Sequence, residues 1–379
     1  MLSFKKFLVF DNPYGSSTSP PGPLGVEITW KKGFKKPVTP AKNPRFTVNL
    51  RPNSSEKLIL HSFLPGDWSY PQGALVFVMP VAESLRCLAG TTALDCYQLR
   101  ELLAFGSFGA VYRGYAATCE VAVKISEEEK MSENESEILL ILQGLPRVPQ
   151  WLYYGAELGR QYLVMTMAYR DLDQMRLLNK SSGYRFNNEN LQKILYQSVK
   201  VLKTIHLRNV IHRDIKANNL MISHPMGPLH AVNIMIVDYG LAAEYKDEND
   251  QYIDLEDNPR LRRVVHSTPN VQLGMDHSCY DDLLQLSYAA IAMYNDHLHV
   301  FRLPDRQRLN HKQSLLRDPA SVLQSHAQWL VPFFEALREQ DELVLDYEEV
   351  LDGIQKSLPG SDANGELRLV DVSGTLRLL

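Results

Sequence analysis

Residues 210–222 read VIHRDIKANNLMI, and the interpretation of the whole sequence depends on this stretch. Asp214, Lys216 and Asn219 stand here between two apolar ends. One interpretation is a surface loop that joins a helix to a strand. The other is that the three polar side chains converge on a reacting phosphate, because phosphoryl transfer depends mainly on positioned charges. The neighbouring segments decide between these two interpretations.

The segment before this stretch has the spacing of an amphipathic helix. In residues 188–206 the apolar positions recur every three or four residues, which places them on one helical face. These positions are Leu191, Ile194, Leu195, Val199, Leu202 and Ile205. After the stretch, AVNIMIVD (231–238) forms another short apolar segment beyond a Pro/Gly turn at 225–228. The order predicts a helix, a polar loop and two short strands.

The segments further upstream are typical of strands. AVYRGY (110–115) and CEVAVKI (119–125) are rich in β-branched and aromatic residues. Residues 132–144 predict a helix ended by Gly144, and residues 151–169 predict a hairpin with its turn near Gly159. Strands come first and helices follow, which favours an α+β protein with two lobes and a cleft between them.

A lysine and a glutamate in the upstream part are candidates for a buried ion pair. Lys124 ends the apolar strand VAVK, and Glu135 shares one helical face with three apolar residues: Ile138, Leu139 and Leu142. A carboxylate on an apolar face is costly unless it is paired, and Lys124 is the obvious partner. Glu137 is a rival for the same role, because Leu140 and Ile141 make its face apolar too.

Two glycine-containing segments complete the pattern. AFGSFGAVYRG (104–114) is a glycine-rich turn between strands, in which Gly106 and Gly109 would let the backbone approach a phosphate. A plain hairpin is the alternative for this segment. In VDYGLA (237–242), Asp238 ends an apolar strand just before Gly240, a placement that suits a metal ligand.

The glycine-rich turn, Lys, Glu, HRDxKxxN and DxG follow one another in the order of the protein kinase signature. On these residues the chain resembles a eukaryotic-type protein kinase over roughly residues 96–358. The resemblance implies the bilobal kinase fold, with a small β-rich N-lobe at 96–168 and a larger helical C-lobe at 169–358. Residues 1–95 would be a proline-rich, partly disordered N-terminal extension, and residues 359–379 a C-terminal tail.

The resemblance also implies Mg-ATP as the phosphoryl donor. Lys124 would hold the α- and β-phosphates and Glu135 would orient it, while Asp214 would accept the proton of the substrate hydroxyl. Lys216 would steady the γ-phosphate, and the metal ligands would be Asn219 and Asp238. Met165 would guard the back of the adenine pocket, with 166–168 as the hinge. The residues implied to surround the nucleotide are Ala104, Gly106, Gly109, Val111, Ala122, Lys124, Met165, Thr166, Met167 and Ala168.

Two kinase groups share further segments with this chain. ESEILLILQG (135–144) resembles casein kinase I, whereas DIKANNL (214–220) and VDYGLAAEY (237–245) resemble the vaccinia-related kinases. In YDDLLQLSYA (280–289), Asp282 matches the buried anchor of the same group's central helix. The lysine two positions after Asp214 is the one that serine/threonine kinases carry, so the resemblance favours protein substrates phosphorylated on Ser or Thr.

The chain also departs from these relatives. Ala104 replaces the first glycine of the loop, and Arg262 and Arg263 stand where relatives carry a Gly-Thr pair that helps to dock substrate. Two interpretations remain for this segment: an anion pocket for an acidic or pre-phosphorylated substrate, or a solvated loop. The pocket would consist of Arg260, Arg262, Arg263 and His266. Ser267 and Thr268 are candidate phosphorylation sites.

Two functions therefore compete. One is an active Ser/Thr kinase, which the full set of charged catalytic positions favours. The alternative is a catalytically weak or inactive pseudokinase scaffold that regulates a partner protein, which the altered segment at 260–274 favours. A P-loop nucleotidase is excluded because the sequence has no GxxxxGK[ST] motif.

Bulk composition limits the remaining possibilities. The formal net charge of -4 argues against a protein that coats nucleic acid, and there is no direct nucleic-acid motif. None of the four cysteines forms a CxxC pair, which favours a reduced intracellular protein. No signal sequence or apolar span of about 18 residues is visible. We expect a monomer in the cytoplasm or nucleus, with no membrane segment.

Overall fold

The computed structural model describes residues 85–379, except for 107–108, 118, 182, 228, 257, 295–302 and 343, together with the backbone of four short strands nearer the N-terminus. Contacts divide the chain into two units, Met1–Ser84 and Leu85–Leu379. The first unit contains two antiparallel pairs of strands, β1 with β4 and β2 with β3. Their bounds are Leu8–Phe10 for β1, Arg45–Asn49 for β2, Lys57–His61 for β3 and Leu75–Phe77 for β4. The remainder of the predicted proline-rich extension up to Ser84 lies outside the described residues.

The second unit begins with an antiparallel sheet of six strands in the order β5-β6-β7-β8-β10-β9. The strands are β5 (Thr92–Ala93), β6 (Tyr97–Gly106), β7 (Gly109–Ala116), β8 (Cys119–Ser126), β9 (Trp151–Glu157) and β10 (Arg160–Thr166). The predicted strands and the hairpin around Gly159 are therefore confirmed. Because β5 pairs with β6 and the unit starts at Leu85, the small lobe begins before residue 96, where the sequence had placed its boundary.

Helix α1 (Glu129–Ile141) lies between the strands β8 and β9. It starts three residues earlier than predicted and ends before Gly144, which has a positive φ of 82°. Glu135 is 1% exposed on its inner face, whereas Glu137 is exposed. The structure thus settles which of the two glutamates lies in the interior.

The larger lobe is mainly helical. Its helices are α2 (Leu172–Lys180), α3 (Asn188–His206), α4 (Pro259–Arg263), α5 (Pro269–Gln272), α6 (Cys279–Tyr294), α7 (Asp305–Arg317), α8 (Pro319–Val322), α9 (Val331–Arg338) and α10 (Tyr347–Ser357). Helix α3 runs through the core, and all six apolar residues of its predicted face are fully buried. This lobe and the lower face of the sheet share one hydrophobic core.

One short strand precedes α2, and five more lie between α3 and α4. They are β11 (Arg170–Asp171), β12 (Val210–Ile211), β13 (Leu220–Ile222), β14 (Ala231–Val232), β15 (Ile234–Ile236) and β16 (Ala243–Glu244). β13 and β15 are antiparallel neighbours, and β12 pairs with β16. The stretch 210–222 is therefore a loop held between two strands, and the segment ending at Asp238 runs beside it.

The last residues form part of the larger lobe. β17 (Leu367–Arg368) pairs with β14, and β18 (Val370–Val372) forms a hairpin with β19 (Thr375–Arg377). Leu367 and Leu378 are completely buried in the core. Residues 359–379, predicted to be a tail outside the lobe, thus pack as one of its layers. In the described part of the chain, no helix combines the length and apolarity that crossing a membrane requires.

Candidate active site

The ammonium group of Lys124 lies between two carboxylates. Its Nζ is 2.6 Å from Glu135 Oε2 on α1 and 2.6 Å from Asp238 Oδ1, which follows β15. The second oxygen of Glu135 accepts the backbone N–H of Tyr239 at 3.2 Å. The strand β8, the helix α1 and the segment after β15 therefore meet at one buried charge. The predicted pairing of Lys124 with Glu135 is observed.

This arrangement fixes the ionisation of the group. Burial opposes the charged form of Lys124, but the carboxylates of Asp238 and Glu135 overcome it and raise the pKa of the ammonium. Burial likewise raises the pKa of Asp238, and the stronger effect of Lys124 lowers it. Asp238 has a positive φ of 68°, a strained conformation for a residue other than glycine. Asp238 is also the residue predicted to bind a metal.

A second cluster surrounds Asp214, which is 2% exposed. Lys216 Nζ donates to its Oδ2 at 2.7 Å, and Asn219 Nδ2 donates to the same oxygen at 3.0 Å. His266 Nε2 lies 2.7 Å from the other carboxylate oxygen. Burial opposes ionisation, but His266 and Lys216 lower the pKa of Asp214 to about 2. The carboxylate is therefore ionised near neutral pH and is able to accept a hydrogen bond from a hydroxyl group.

Asp282 on α6 holds the loop that carries Asp214. Its carboxylate accepts the backbone N–H groups of His212 at 2.7 Å and Arg213 at 2.8 Å. The rings of His206 and His277 each contact it at 3.0 Å. Burial opposes ionisation, but the contacts with His206 and His277 lower the pKa of Asp282. The predicted role of Asp282 as a buried anchor agrees with this geometry.

His212 joins the two clusters. The N–H of Asp214 donates to its Nδ1 at 3.3 Å, so its Nε2 carries the hydrogen that is donated to Val237 O at 3.0 Å. Val237 N in turn donates to Asn219 O at 3.0 Å. The segments bearing Asp214, Asn219 and Asp238 are therefore bonded side by side, as one shared site requires.

The oxygen donors of this site fit a magnesium ion. Mg²⁺ is bound in proteins by one or two side-chain oxygens, with water and phosphate oxygens completing its shell. The amide nitrogen of Asn219 donates hydrogen bonds to Asp214, so its amide oxygen is available to bind a cation. Asp238 adds a carboxylate whose side chain is 27% exposed. These are the two residues predicted as metal ligands, and together they supply suitable donors.

The two predicted glycines of the glycine-rich turn have different surroundings. Gly109 has a φ of 122°, and a Cβ atom there would lie 2.2 Å from Ile125 O, so only glycine fits. A Cβ on Gly106 would meet nothing within 4 Å. Ala104 is paired with Val111 in the β6–β7 hairpin and is exposed. The turn therefore tolerates alanine at position 104.

The residues predicted to enclose adenine lie on adjacent strands. Ala122 pairs with Met165, and both are buried in the core, with Val111 and Met167 packed beside them. In the predicted hinge, the N–H of Thr166 donates to Gln150 O at 3.0 Å and its hydroxyl accepts from Gln150 N at 2.9 Å. The N–H of Thr166 thus pairs within the protein. The hinge role of Thr166, Met167 and Ala168, in which their backbone groups would contact adenine, remains a prediction.

The anion pocket predicted from residues 260–266 is not assembled as a unit. The side chain of His266 contacts Asp214, and Arg260 lies 3.7 Å from Glu128, which precedes helix α1. The side chains of Arg262 and Arg263 are exposed. One pocket formed by all four residues is therefore not observed in this conformation.

Ser267 and Thr268 are both completely buried. Thr268 donates its hydroxyl to Asp281 and caps helix α5 by accepting from Val271 N. These side chains are structural in this conformation, in contrast to the expectation that they are phosphorylation sites.

Neither the contact between His266 and Asp214 nor a role for Lys312 on α7 was predicted from the sequence. Lys312 Nζ donates to Val265 O at 2.7 Å and to Ser267 O at 2.5 Å, on both sides of His266. The available signal was weak: Arg308, Lys312 and Leu315 are spaced to share one helical face, and all three are buried. A cation on a buried face is a reason to look for its partner.

Comparison with known proteins identifies the fold. Residues 97–263 match the protein kinase domain family. Casein kinase I homolog 1 of Saccharomyces cerevisiae is 27% identical over 209 residues, covering 53% of this chain and 38% of that protein. Casein kinase I homolog 2 of the same yeast is 27% identical over 194 residues, covering 49% and 35%. The chain thus spans little more than a third of the length of these relatives. The match over residues 97–263, the six-stranded sheet and the helical lobe that follows it fit the bilobal protein kinase fold. Over about half of its length the chain is similar to the two yeast casein kinase I homologs.

Proposed function

We propose that this chain is an ATP-dependent protein kinase that phosphorylates serine or threonine. The observation that carries the proposal is the position of Lys124, with its ammonium 2.6 Å from both Glu135 and Asp238. This arrangement presents one fixed cation and one carboxylate at the cleft, beside the loop that bears Asp214. A triphosphate with its metal ion has the complementary charge.

In the proposed reaction the oxygen of the substrate hydroxyl attacks the γ-phosphorus of ATP. The bond from phosphorus to the bridging oxygen of ADP breaks, and the hydroxyl proton passes to Asp214 as the new bond forms. Lys216, already bound to Asp214, neutralises charge on the transferred group, and Lys124 holds the phosphates that leave with ADP. Magnesium, when held by Asn219 and Asp238, neutralises further phosphate charge.

The proposed acceptor class rests on two supports. Lys216 lies two positions after Asp214 and contacts it, as serine/threonine kinases require. The two yeast relatives are named casein kinase I homologs, which agrees with this choice.

A preference for acidic or pre-phosphorylated substrates remains a proposal, now limited to two residues. Arg262 and Arg263 belong to one short helix, α4, and both are exposed. We expect replacement of both by alanine to reduce activity on acidic peptides more than on neutral peptides. An equal loss on both classes of peptide would exclude these arginines as the acidic-substrate site.

A kinase assay on a peptide array, with radiolabelled ATP and magnesium, tests the function. The matched variants are Asp214→Asn, which removes the proton acceptor, and Asp238→Asn, which removes a metal-binding carboxylate. We expect Asp214→Asn to bind Mg-ATP in a thermal shift assay but to lose transfer, and Asp238→Asn to lose the magnesium dependence of binding. Wild-type protein that binds Mg-ATP yet transfers no more phosphate than Asp214→Asn would instead indicate a pseudokinase scaffold.

A further inference from the structure

Lys312 is a lysine buried without a carboxylate partner. It lies on α7, its exposed fraction is 1%, and no ion pair to it occurs among the described residues. Its Nζ lies 5.2 Å from the centre of the Tyr288 ring. A buried ammonium or amine is costly, so its hydrogen bonds must offset that cost. Both of its hydrogen bonds go to the backbone of one segment.

That segment is the irregular chain between α4 and α5. Lys312 donates to the carbonyl oxygens of Val265 and Ser267, the two neighbours of His266. Neither of these residues belongs to a helix or strand, so no regular ladder satisfies their carbonyl groups. One side chain therefore holds the backbone on both sides of His266.

His266 is the side chain that connects this segment to the candidate base. Its Nε2 lies 2.7 Å from Asp214 Oδ1, while Lys216 and Asn219 occupy Oδ2. A carboxylate oxygen can accept two hydrogen bonds, so Oδ1 retains one site for a substrate hydroxyl. With donors on both oxygens, the carboxylate cannot rotate freely, and the remaining site keeps a fixed direction.

From this chain of contacts we infer that Lys312 is a positioning residue, which fixes the backbone around His266 so that His266 holds Asp214 in the orientation required for transfer. The inference rests on the proposed function, because it assigns a role to the same site. It makes helix α7, which carries Lys312, a determinant of the rate of transfer.

A double-mutant cycle tests the connection. Lys312→Met keeps the length of the side chain and removes its donors, and His266→Ala removes the contact to Asp214. Each single variant is expected to lower kcat about tenfold, with an unchanged KM for ATP, because the base and not the nucleotide is displaced. The double variant is expected to be no slower than His266→Ala alone, since both changes break one connection. Independent, multiplying losses would overturn the inference.

Lys356→Met is the matched control. It removes a lysine from another helix of the same lobe, α10, where Lys356 is exposed and paired with Asp352. Its kcat is expected to equal that of the wild type. A Lys312→Met variant as active as Lys356→Met would also overturn the inference.

Hydrogen exchange separates this inference from the proposed function, because it needs no activity. In the nucleotide-free protein, Lys312→Met is expected to exchange about ten times faster than wild type in peptides covering 258–268, while α3 exchanges equally in both. Lys312→Gln, whose side chain is one bond shorter, gives the same direction of change if the methionine variant does not fold. Faster exchange in a protein with no kinase activity would show that Lys312 orders residues 258–268 and would reject the proposed function. Unchanged exchange in an active kinase would reject the positioning role alone.

Discussion

At the scale of single residues, the buried ions of the site lie in two clusters, one of three residues and one of four. Lys124 lies between Glu135 and Asp238, and Asp214 lies among Lys216, Asn219 and His266. In each group, a buried ion keeps its charge because partners of opposite charge or with hydrogen to donate surround it. Removing one member therefore leaves another ion buried without compensation.

Lys124→Met is expected to lower the free energy of unfolding by roughly 3 kcal/mol, because it leaves Glu135 buried beside a second carboxylate. The double variant Lys124→Met/Glu135→Gln is expected to regain most of that loss, since glutamine is neutral and can still accept from Tyr239 N. Neither variant is expected to transfer phosphate. Urea unfolding of the nucleotide-free proteins measures the difference, and a double variant as unstable as the single one would contradict it.

The second prediction at this scale concerns pH. Burial, assisted by Arg308 and opposed by Asp305, lowers the pKa of Lys312 to about 7 from the ordinary value of 10.5. Between these values the unfolded chain binds more protons at Lys312 than the folded chain, so this residue makes stability rise with pH. The unfolding free energy of wild type minus that of Lys312→Met should therefore be larger at pH 9 than at pH 6.5. A difference independent of pH would show that Lys312 stays protonated in the folded protein.

At the scale of elements, the two glycines that flank the turn between β6 and β7 differ in the space that a side chain would have. Gly106 has free space where a Cβ would lie, while Gly109 lies against the carbonyl of Ile125 on β8. The close approach places Gly109 beside Ile125, the residue after Lys124 on the same strand. The shape of the turn therefore depends on the second glycine.

Gly109→Ala is expected to lower stability by about 2 kcal/mol and to weaken Mg-ATP binding, because the backbone must shift to relieve the contact and the positive φ. Gly106→Ala is the matched control, with an expected change within about 0.5 kcal/mol. Thermal unfolding with and without Mg-ATP measures both effects. Equal behaviour of the two variants would show that the turn is adaptable.

Helices and strands with a regular pattern of apolar residues were predictable from the sequence. Contacts made by residues in irregular segments were not. The face of α3 and the pairing of Lys124 with Glu135 follow from local spacing, because a helix places every third or fourth residue together. The position of His266 depends on the conformation of the chain between α4 and α5, and no repeating pattern in the sequence predicts that conformation. The role of Lys312 was hidden for the same reason, since its partners are backbone carbonyl groups that have no sequence signal.

At the scale of the whole second unit, its last residues close the core of the helical lobe. Leu367 and Leu378 are buried beside α3, and Asn179 on α2 donates to Leu378 O at 2.6 Å. The sequence resemblance ended near residue 358, so it contained no information on this layer. Contacts between residues almost 200 positions apart thus tie the end of the chain to the start of the lobe.

Leu378→Ala is expected to lower the free energy of unfolding by about 3 kcal/mol, the usual cost of a cavity at a buried leucine. Val370→Ala in the same hairpin is the control, because Val370 is 49% exposed and its truncation should cost less than about 0.5 kcal/mol. Denaturant unfolding at constant pH compares them. Similar midpoints for the two variants would mean that the hairpin is not part of the cooperative core.

Tyr239 has a consequence for ligand design. Its ring is fully buried, 4.9 Å from the ring of His212, and its hydroxyl donates to Ile236 O at 3.2 Å. An inhibitor that gains room by swinging this ring outward must also break that hydrogen bond, at a cost of about 1 kcal/mol. Compounds that leave the ring in place avoid this cost, and a chemical screen on this protein should favour them.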